Sequence, residues 1–229
     1  MSRISIPVLV AALLIIFVIA LSAFPVFGIP AFHDRNITAL TAVEIRDYQG
    51  ERLSSIADFR ENSIAGPQYI NPESSCLNIS GLVEHPLSLT SDQVLALYPH
   101  YKKKVTLYCV EGWDVTILWE GVRVGDLLAD ADVLTGADTV IFFAADGYST
   151  SLPLDYIQDR DIMLAFAMNG VTLPPERGFP FQLVAEDRWG YKWIKWVTAI
   201  EVSGDSSYRG YWERRGYSQD ANITRGFFD

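Results

Sequence analysis

The thiol with the most suggestive neighbours is Cys109, in the stretch VTLYCVEGW (105–113). A strand-like run of Val, Thr, Leu and Tyr ends on it, and a glutamate, a glycine and a tryptophan follow within four positions. Three readings are open for such a residue: a small buried hydrophobe, half of a disulfide, or a metal ligand. The other cysteine, Cys76, lies in the polar stretch NPESSCLNIS, a setting unlike that of Cys109. His33, His85 and His100 are scattered, and the last two adjoin prolines, which reads as surface loop and not as metal ligation. The adjacent carboxylates Glu186 and Asp187 read as turn residues. There is no G-x-S-x-G, no P-loop, no G-x-G-x-x-G, no H-E-x-x-H and no C-x-x-C-H. The hydrolytic, nucleotide, zinc-protease and covalent-haem chemistries those patterns serve are therefore set aside.

The elements that must position Cys109 can be read from periodicity. Apolar residues make up 49 % of the 229 and aromatics 13 %, enough for one sizeable core. The net charge of −10 repels nucleic acid and anionic headgroups, so no nucleic-acid partner is expected. No ionisable side chain occurs between Arg3 and His33, and the apolar run 4–27 has the length of one transmembrane helix, about 20 residues. Residues 1–28 thus read as a membrane anchor or signal segment, 29–40 as a linker and 41–229 as the folded domain. Three N-x-S/T sequons, at Asn36, Asn78 and Asn222, suit a domain held outside the membrane. Within the domain, LNISGLVEHPLSL reads as a strand interrupted at Gly81 and Pro86. Thr90-Ser91-Asp92 reads as the N-cap of the helix DQVLALY, and Lys102, Lys103 and Lys104 as a solvated turn. VTILWEG, TVIFFAA, YSTSLP, FQLVAED and KWIKWVTAIEV read as strands, VRVGDLLADA as a short helix, PLDYIQ as a helical turn and Asn169-Gly170 as a hairpin turn. Many short strands with few, short helices define a sheet-rich α+β domain.

At this point the residues resemble a known family. YCVEGWDVTILWEGVRVGDLL (108–128) resembles the centre of the sulfite-oxidase-fold molybdopterin oxidoreductases, in which one cysteine ligates molybdenum and a W-x-G-V element follows about ten residues on. The run from DGYSTSLPLDYIQ through AFAMNGVTLPPERGFPF to RWGYKWIKW resembles the same family in order, as do GYWERRGYS near the C-terminus and DFRENSIAGPQ upstream. The resemblance implies that the domain behind the N-terminal transmembrane helix suggested by the apolar run is a molybdopterin-binding domain whose cofactor carries molybdenum. It implies Cys109 as the metal ligand, Trp119 as a wall of the substrate pocket and Tyr217 as a hydrogen-bonding group beside the oxo ligand. Arg188, Gly190, Lys192 and Lys195 would hold the cofactor's phosphate, with Arg60, Asn62 and Ser63 at its pterin end.

Cys109 is followed by Val110-Glu111-Gly112-Trp113 and not by the A-G-N-R-R of sulfite oxidases, so the arginine that helps bind the anionic substrate there is absent. The C-V-E-x-W form resembles the bacterial periplasmic branch that reduces protein methionine sulfoxide. The N-terminus carries Ser2-Arg3 and no Arg-Arg pair. The expectation is a membrane-anchored, extracytoplasmic oxidoreductase performing two-electron oxygen-atom transfer on a small-molecule or protein-bound oxide. Its electrons would come from a membrane haem protein or a small carrier. The alternative is a cofactor-free binding module on the same fold.

Overall fold

The computed structural model describes residues 40–229, which belong to the compact unit Ala39–Asp229. The expected anchor at 1–28 and almost all of the expected linker lie outside the described residues. Among the described residues, no helix is long and apolar enough to cross a membrane.

Two five-stranded sheets carry the domain, preceded by a small hairpin of β1 (Asp47–Tyr48) and β2 (Glu51–Arg52). The second sheet runs β4-β3-β12-β7-β8, from β3 (Cys76–Gly81), β4 (Leu87–Thr90), β7 (Thr139–Ala144), β8 (Ser149–Pro153) and β12 (Val197–Ser203). Its β3–β12 pair is parallel and the rest antiparallel. The first sheet is antiparallel and runs β10-β9-β6-β5, with β11 also on β9. Its strands are β5 (Tyr101–Tyr108), β6 (Asp114–Arg123), β9 (Met163–Met168), β10 (Val171–Thr172) and β11 (Gln182–Val184). Three short helices, α1 (Ser91–Leu97), α2 (Val124–Asp130) and α3 (Leu154–Asp159), each sit where the chain passes from one sheet to the other.

Local chemistry explains these boundaries. The Thr90 hydroxyl accepts from the Gln93 N–H at 3.2 Å while the Gln93 side chain accepts from the Thr90 N–H at 2.9 Å, a reciprocal cap that starts α1. Pro153 stands just ahead of α3, where a missing N–H costs nothing. Asn169 and Gly170 both take positive φ, 49° and 77°, the conformation a two-residue hairpin turn between β9 and β10 demands. Asn169 is also fully buried: its side-chain Oδ1 accepts from Leu118 N–H at 3.0 Å and its Nδ2 donates to Ser54 O at 2.9 Å and to the buried Glu44 at 3.2 Å.

The lysine run differs from its expected place. Lys102, Lys103 and Lys104 lie inside β5, at the edge of the first sheet, with Lys102 opposite Glu120 and paired to it at 3.2 Å. Lys103 pairs with Glu186 and Lys104 with Glu51. Charged side chains on an edge strand keep it from pairing with another chain, which is the physical use of a lysine run there.

Candidate active site

Cys109 stands one residue past β5, where the β5–β6 hairpin closes through Val110-Glu111-Gly112. Its N–H donates to Trp113 O at 2.9 Å, and the Gly112 N–H donates back to Cys109 O at 3.0 Å. Gly112 takes φ 81°, the left-handed position that a three-residue hairpin loop reserves for glycine. The loop after β11 comes close on the other side. Tyr108 bridges Trp189, and a Cβ at Gly190 would stand 3.2 Å from Tyr108 O and 3.5 Å from the Cys109 Cα. Glycine at 190 is what permits that approach.

A cavity of about 410 Å³ opens beside the thiol. It is walled by the loop 59–64, the hairpin end 109–113, Glu176 and Arg177, Gln182 on β11, the segment 190–196 and, from near the C-terminus, Trp212 and Tyr217. Cys109 is 8 % exposed, and Asn62 Nδ2 lies 3.6 Å from its Sγ. Burial pushes the thiol pKa up. The Glu111 N–H pulls it back and the Glu111 carboxylate raises it, while the Asn62 amide and the Arg60 charge lower it. Both cysteines are free, so the disulfide reading of Cys109 falls away.

Of the residues singled out from the sequence, Arg60, Asn62, Ser63, Cys109, Gly190, Lys195 and Tyr217 meet on this cavity. Lys195 reaches Glu61 at 2.7 Å and lies over the Trp196 ring at 4.4 Å, with burial lowering its pKa and Glu61 raising it. The Tyr217 ring is held among Tyr191, Trp212, Phe227 and Phe228, at centroid separations of 4.9 to 5.8 Å.

Three residues are placed elsewhere. Trp119 is completely buried behind Phe59 and Trp193, which themselves face the cavity, and its indole N–H donates to Val105 O at 3.2 Å. Its W-x-G-V element is a packing device: Gly121 follows a bulge and presses on β9, where a Cβ would meet Leu164 O at 2.2 Å. Lys192 is fully buried and donates to Glu213 at 2.6 Å and to Ser151 O at 3.0 Å, so its charge is used inside the fold. Arg188 pairs with Asp220 at 3.1 Å and covers the Tyr156 ring, away from the cavity wall.

The sequence reading missed Arg177, Gln182, Trp113 and Trp193, all on the cavity wall. Arg177 is 5 % exposed, donates to Phe59 O at 3.1 Å and keeps its Nε without a partner. Burial lowers its pKa, opposed by Glu176 and Glu61. Gln182 Oε1 is likewise buried and unpartnered. The available signal for Arg177 was its place within PPERGFPF, a stretch already quoted for its turn residues.

A soft thiol, two orphaned buried polar atoms and charges of both signs gathered on one aromatic cleft are a donor set that suits a redox cofactor, in a sheet-rich α+β domain. The chain belongs to the oxidoreductase molybdopterin-binding domain family, whose match spans residues 64–212. It is 38 % identical over 152 residues to the uncharacterized oxidoreductase YuiH of Bacillus subtilis, covering 66 % of this chain and 76 % of that one. It is 34 % identical over 142 residues to a putative protein-methionine-sulfoxide reductase subunit, YedZ1, of Azospira oryzae, covering 62 % and 53 %. The sulfane dehydrogenase SoxCD of Paracoccus pantotrophus superposes with a TM-score of 0.60 at 26 % identity, over 68 % of this chain and 43 % of that one. The chain thus spans about three quarters of the first relative and about half of the second. The fold is of the sulfite-oxidase type, and the protein is a molybdopterin-dependent oxidoreductase, which removes the cofactor-free binding module.

The cavity fits that cofactor on its own terms. Cys109 offers the one sulfur donor on the wall, of a kind that suits a soft metal. Arg177 Nε and Gln182 Oε1 are buried with unmet hydrogen bonds, as expected where a polar ligand completes them.

Proposed function

We propose that the protein is a molybdenum enzyme of two-electron oxygen-atom transfer, working as a reductase of a neutral S-oxide or N-oxide. The placement of Cys109 on the cleft, with an amide aimed at its sulfur, carries this reading. When bound, the cofactor supplies a redox metal able to exchange two electrons and an oxygen atom with substrate.

The chain's own residues do the rest. Cys109 binds as thiolate, and the Asn62 amide and Arg60 favour that charged form against the penalty of burial. Arg177, Lys195 and Gln182 hold the polar and anionic parts of the cofactor. Trp113, Trp193 and Tyr191 keep bulk water out of the cleft, which strengthens every electrostatic contact inside it. Tyr217, whose hydroxyl has no partner among the described residues, donates a hydrogen bond to the oxide oxygen of the substrate. Reduction of R₂SO takes two electrons and two protons and yields R₂S and water.

The ionisable lining favours a neutral oxide over an anion. Arg60, Arg177 and Lys195 face Glu61, Glu111, Asp146 and Glu176, and the cofactor's phosphate uses part of that positive charge. The sulfoxide-reductase name of the Azospira relative supports the same direction. A domain outside the membrane, tethered by the N-terminal segment and fed by a membrane haem protein or small carrier, completes the proposal.

The test is the molybdenum content of the full chain purified from a molybdopterin-making host, beside Cys109→Ser. The expected parent ratio is about one metal per chain, with sulfoxide reduction abolished in the variant. A folded parent without molybdenum, or a fully active Cys109→Ser variant, would sink the assignment.

A further inference from the structure

Most lysines and arginines of the described chain are tied to a carboxylate within 4 Å: Arg46, Arg52, Lys102, Lys103, Lys104, Arg123, Arg160, Arg188, Lys192, Lys195 and Arg225. Arg60 and Arg177 are not, and both line the cofactor cavity. The remaining cations without such a partner are Arg209, Arg214 and Arg215, all exposed and all within one seven-residue segment. Among the described residues of this protein of net charge −10, positive charge without a carboxylate partner is thus left on the surface in one place beyond the cofactor cleft.

The segment is built to present it. Tyr211 N–H donates to Ser149 O at 2.9 Å, and Gly210 sits so close that a Cβ there would meet the same oxygen at 2.3 Å. The Arg214 N–H closes back on Gly210 O at 3.1 Å, a turn that ends on Arg214 and that Arg209 immediately precedes. Glu213, the one carboxylate in the segment, is turned inward onto Lys192, so the charges that the segment itself exposes are its guanidinium groups. Arg215 is held over the Tyr211 ring at 3.6 Å, and the Arg214 side chain has no partner among the described residues. Arg209 feels the field of Asp205, which is itself occupied by Ser207. Trp212 within the segment and Tyr217 just after it line the cavity, so the segment that carries these arginines is continuous with the cavity wall.

We propose that residues 209–215 form the landing face for an acidic electron-carrier protein that supplies the two electrons of the reaction, one at a time. The inference rests on the oxidoreductase reading, which requires a donor. A carboxylate-rich partner is repelled by the protein's overall field and, among the described residues outside the cleft, attracted only here, which brings it to the segment that adjoins the cavity. Exposed guanidinium groups that enclose no cavity suit a broad acidic surface better than a small anion.

The experiment uses the full-length holoenzyme with reduced flavodoxin, an acidic one-electron carrier, and separately with reduced methyl viologen. Arg209→Glu with Arg214→Glu is compared with Arg52→Glu with Arg160→Glu, an equal charge change at two exposed, carboxylate-paired positions. The expected result is a KM for flavodoxin about tenfold higher in the first double variant only, with a flattened salt dependence. Viologen-driven turnover and the thermal midpoint stay at parental values. Equal losses in both double variants, or none, would overturn the proposal. So would loss of a preference for phosphatidylglycerol over phosphatidylcholine vesicles while flavodoxin kinetics stay unmoved, which would assign the face to an anionic membrane. A parent inactive with viologen strikes the oxygen-transfer reading instead, and flavodoxin affinity by calorimetry then still decides the landing face.

Discussion

Lys192 and Lys195 sit three positions apart in one motif and serve opposite ends. Lys192 is sealed against Glu213 and the Ser151 carbonyl, while Lys195 reaches the cavity with Glu61 as its counter-ion. Removing one partner of a buried pair leaves the other charge uncompensated, which costs about 3–5 kcal/mol. Lys192→Met is therefore expected to lose that much stability by denaturant titration, with part recovered when Glu213→Gln is added. Lys195→Met is expected to leave the unfolding midpoint nearly unchanged and to lower cofactor occupancy. At this scale the sequence shows which residue types are present but not which way they face. Cys109, Asn62 and Tyr217 were legible because an ordered series of motifs pointed at them. Trp119, Lys192 and Arg188 lie off the cavity wall, a placement that identity and spacing do not reveal because they do not distinguish a residue on the wall from one packed behind it. Arg177 was missed because nothing local marks an arginine as buried.

The strands and helices were legible wherever periodicity and punctuation agreed, as in β6, β7, α1 and the Asn169-Gly170 turn. The lysine run failed because solvated turns and edge strands both carry charge, and sheet order is a long-range fact that β5 does not announce. The β5–β6 hairpin that delivers Cys109 was hidden for a similar reason, since its loop needs only Gly112 in the left-handed position. Close approach between strands makes its own prediction. At Gly121 a Cβ would fall 2.2 Å from Leu164 O and 2.8 Å from the Ala165 Cα, both backbone atoms that cannot step aside without opening the β6–β9 pair. Gly121→Ala is expected to destabilise by about 3 kcal/mol or more. Gly125→Ala, in α2 with open space around its Cβ, is expected to stabilise by about 0.5–1 kcal/mol. Paired chemical-denaturation curves read both, and a neutral Gly121→Ala would show that the sheet yields there.

Over the whole molecule, the charge that composition reveals becomes a rule of access. A net charge of −10 sets the distant field, and in the proposed holoenzyme the cleft would repeat its sign, since a bound phosphate would draw on the wall's cations Arg60, Arg177 and Lys195. The free arginines of 209–215 act on a large partner at the flank, whereas a small ligand must pass among Glu61, Glu111, Asp146 and Glu176. An anion such as sulfite therefore meets repulsion both far from the mouth and within it, and a neutral sulfoxide meets neither. Screening acts on the first of these, because the Debye length falls from about 30 Å at 0.01 M salt to about 8 Å at 0.15 M. Dye-coupled sulfite oxidation is expected to be slow and to rise with salt by up to about tenfold in kcat/KM, the sign that relief of like-charge repulsion dictates. Viologen-driven reduction of a neutral sulfoxide is expected to stay flat over the same range. A sulfite rate that falls with salt would mean that anions are drawn into the cleft, and would return the enzyme to the anion-oxidising side of its family.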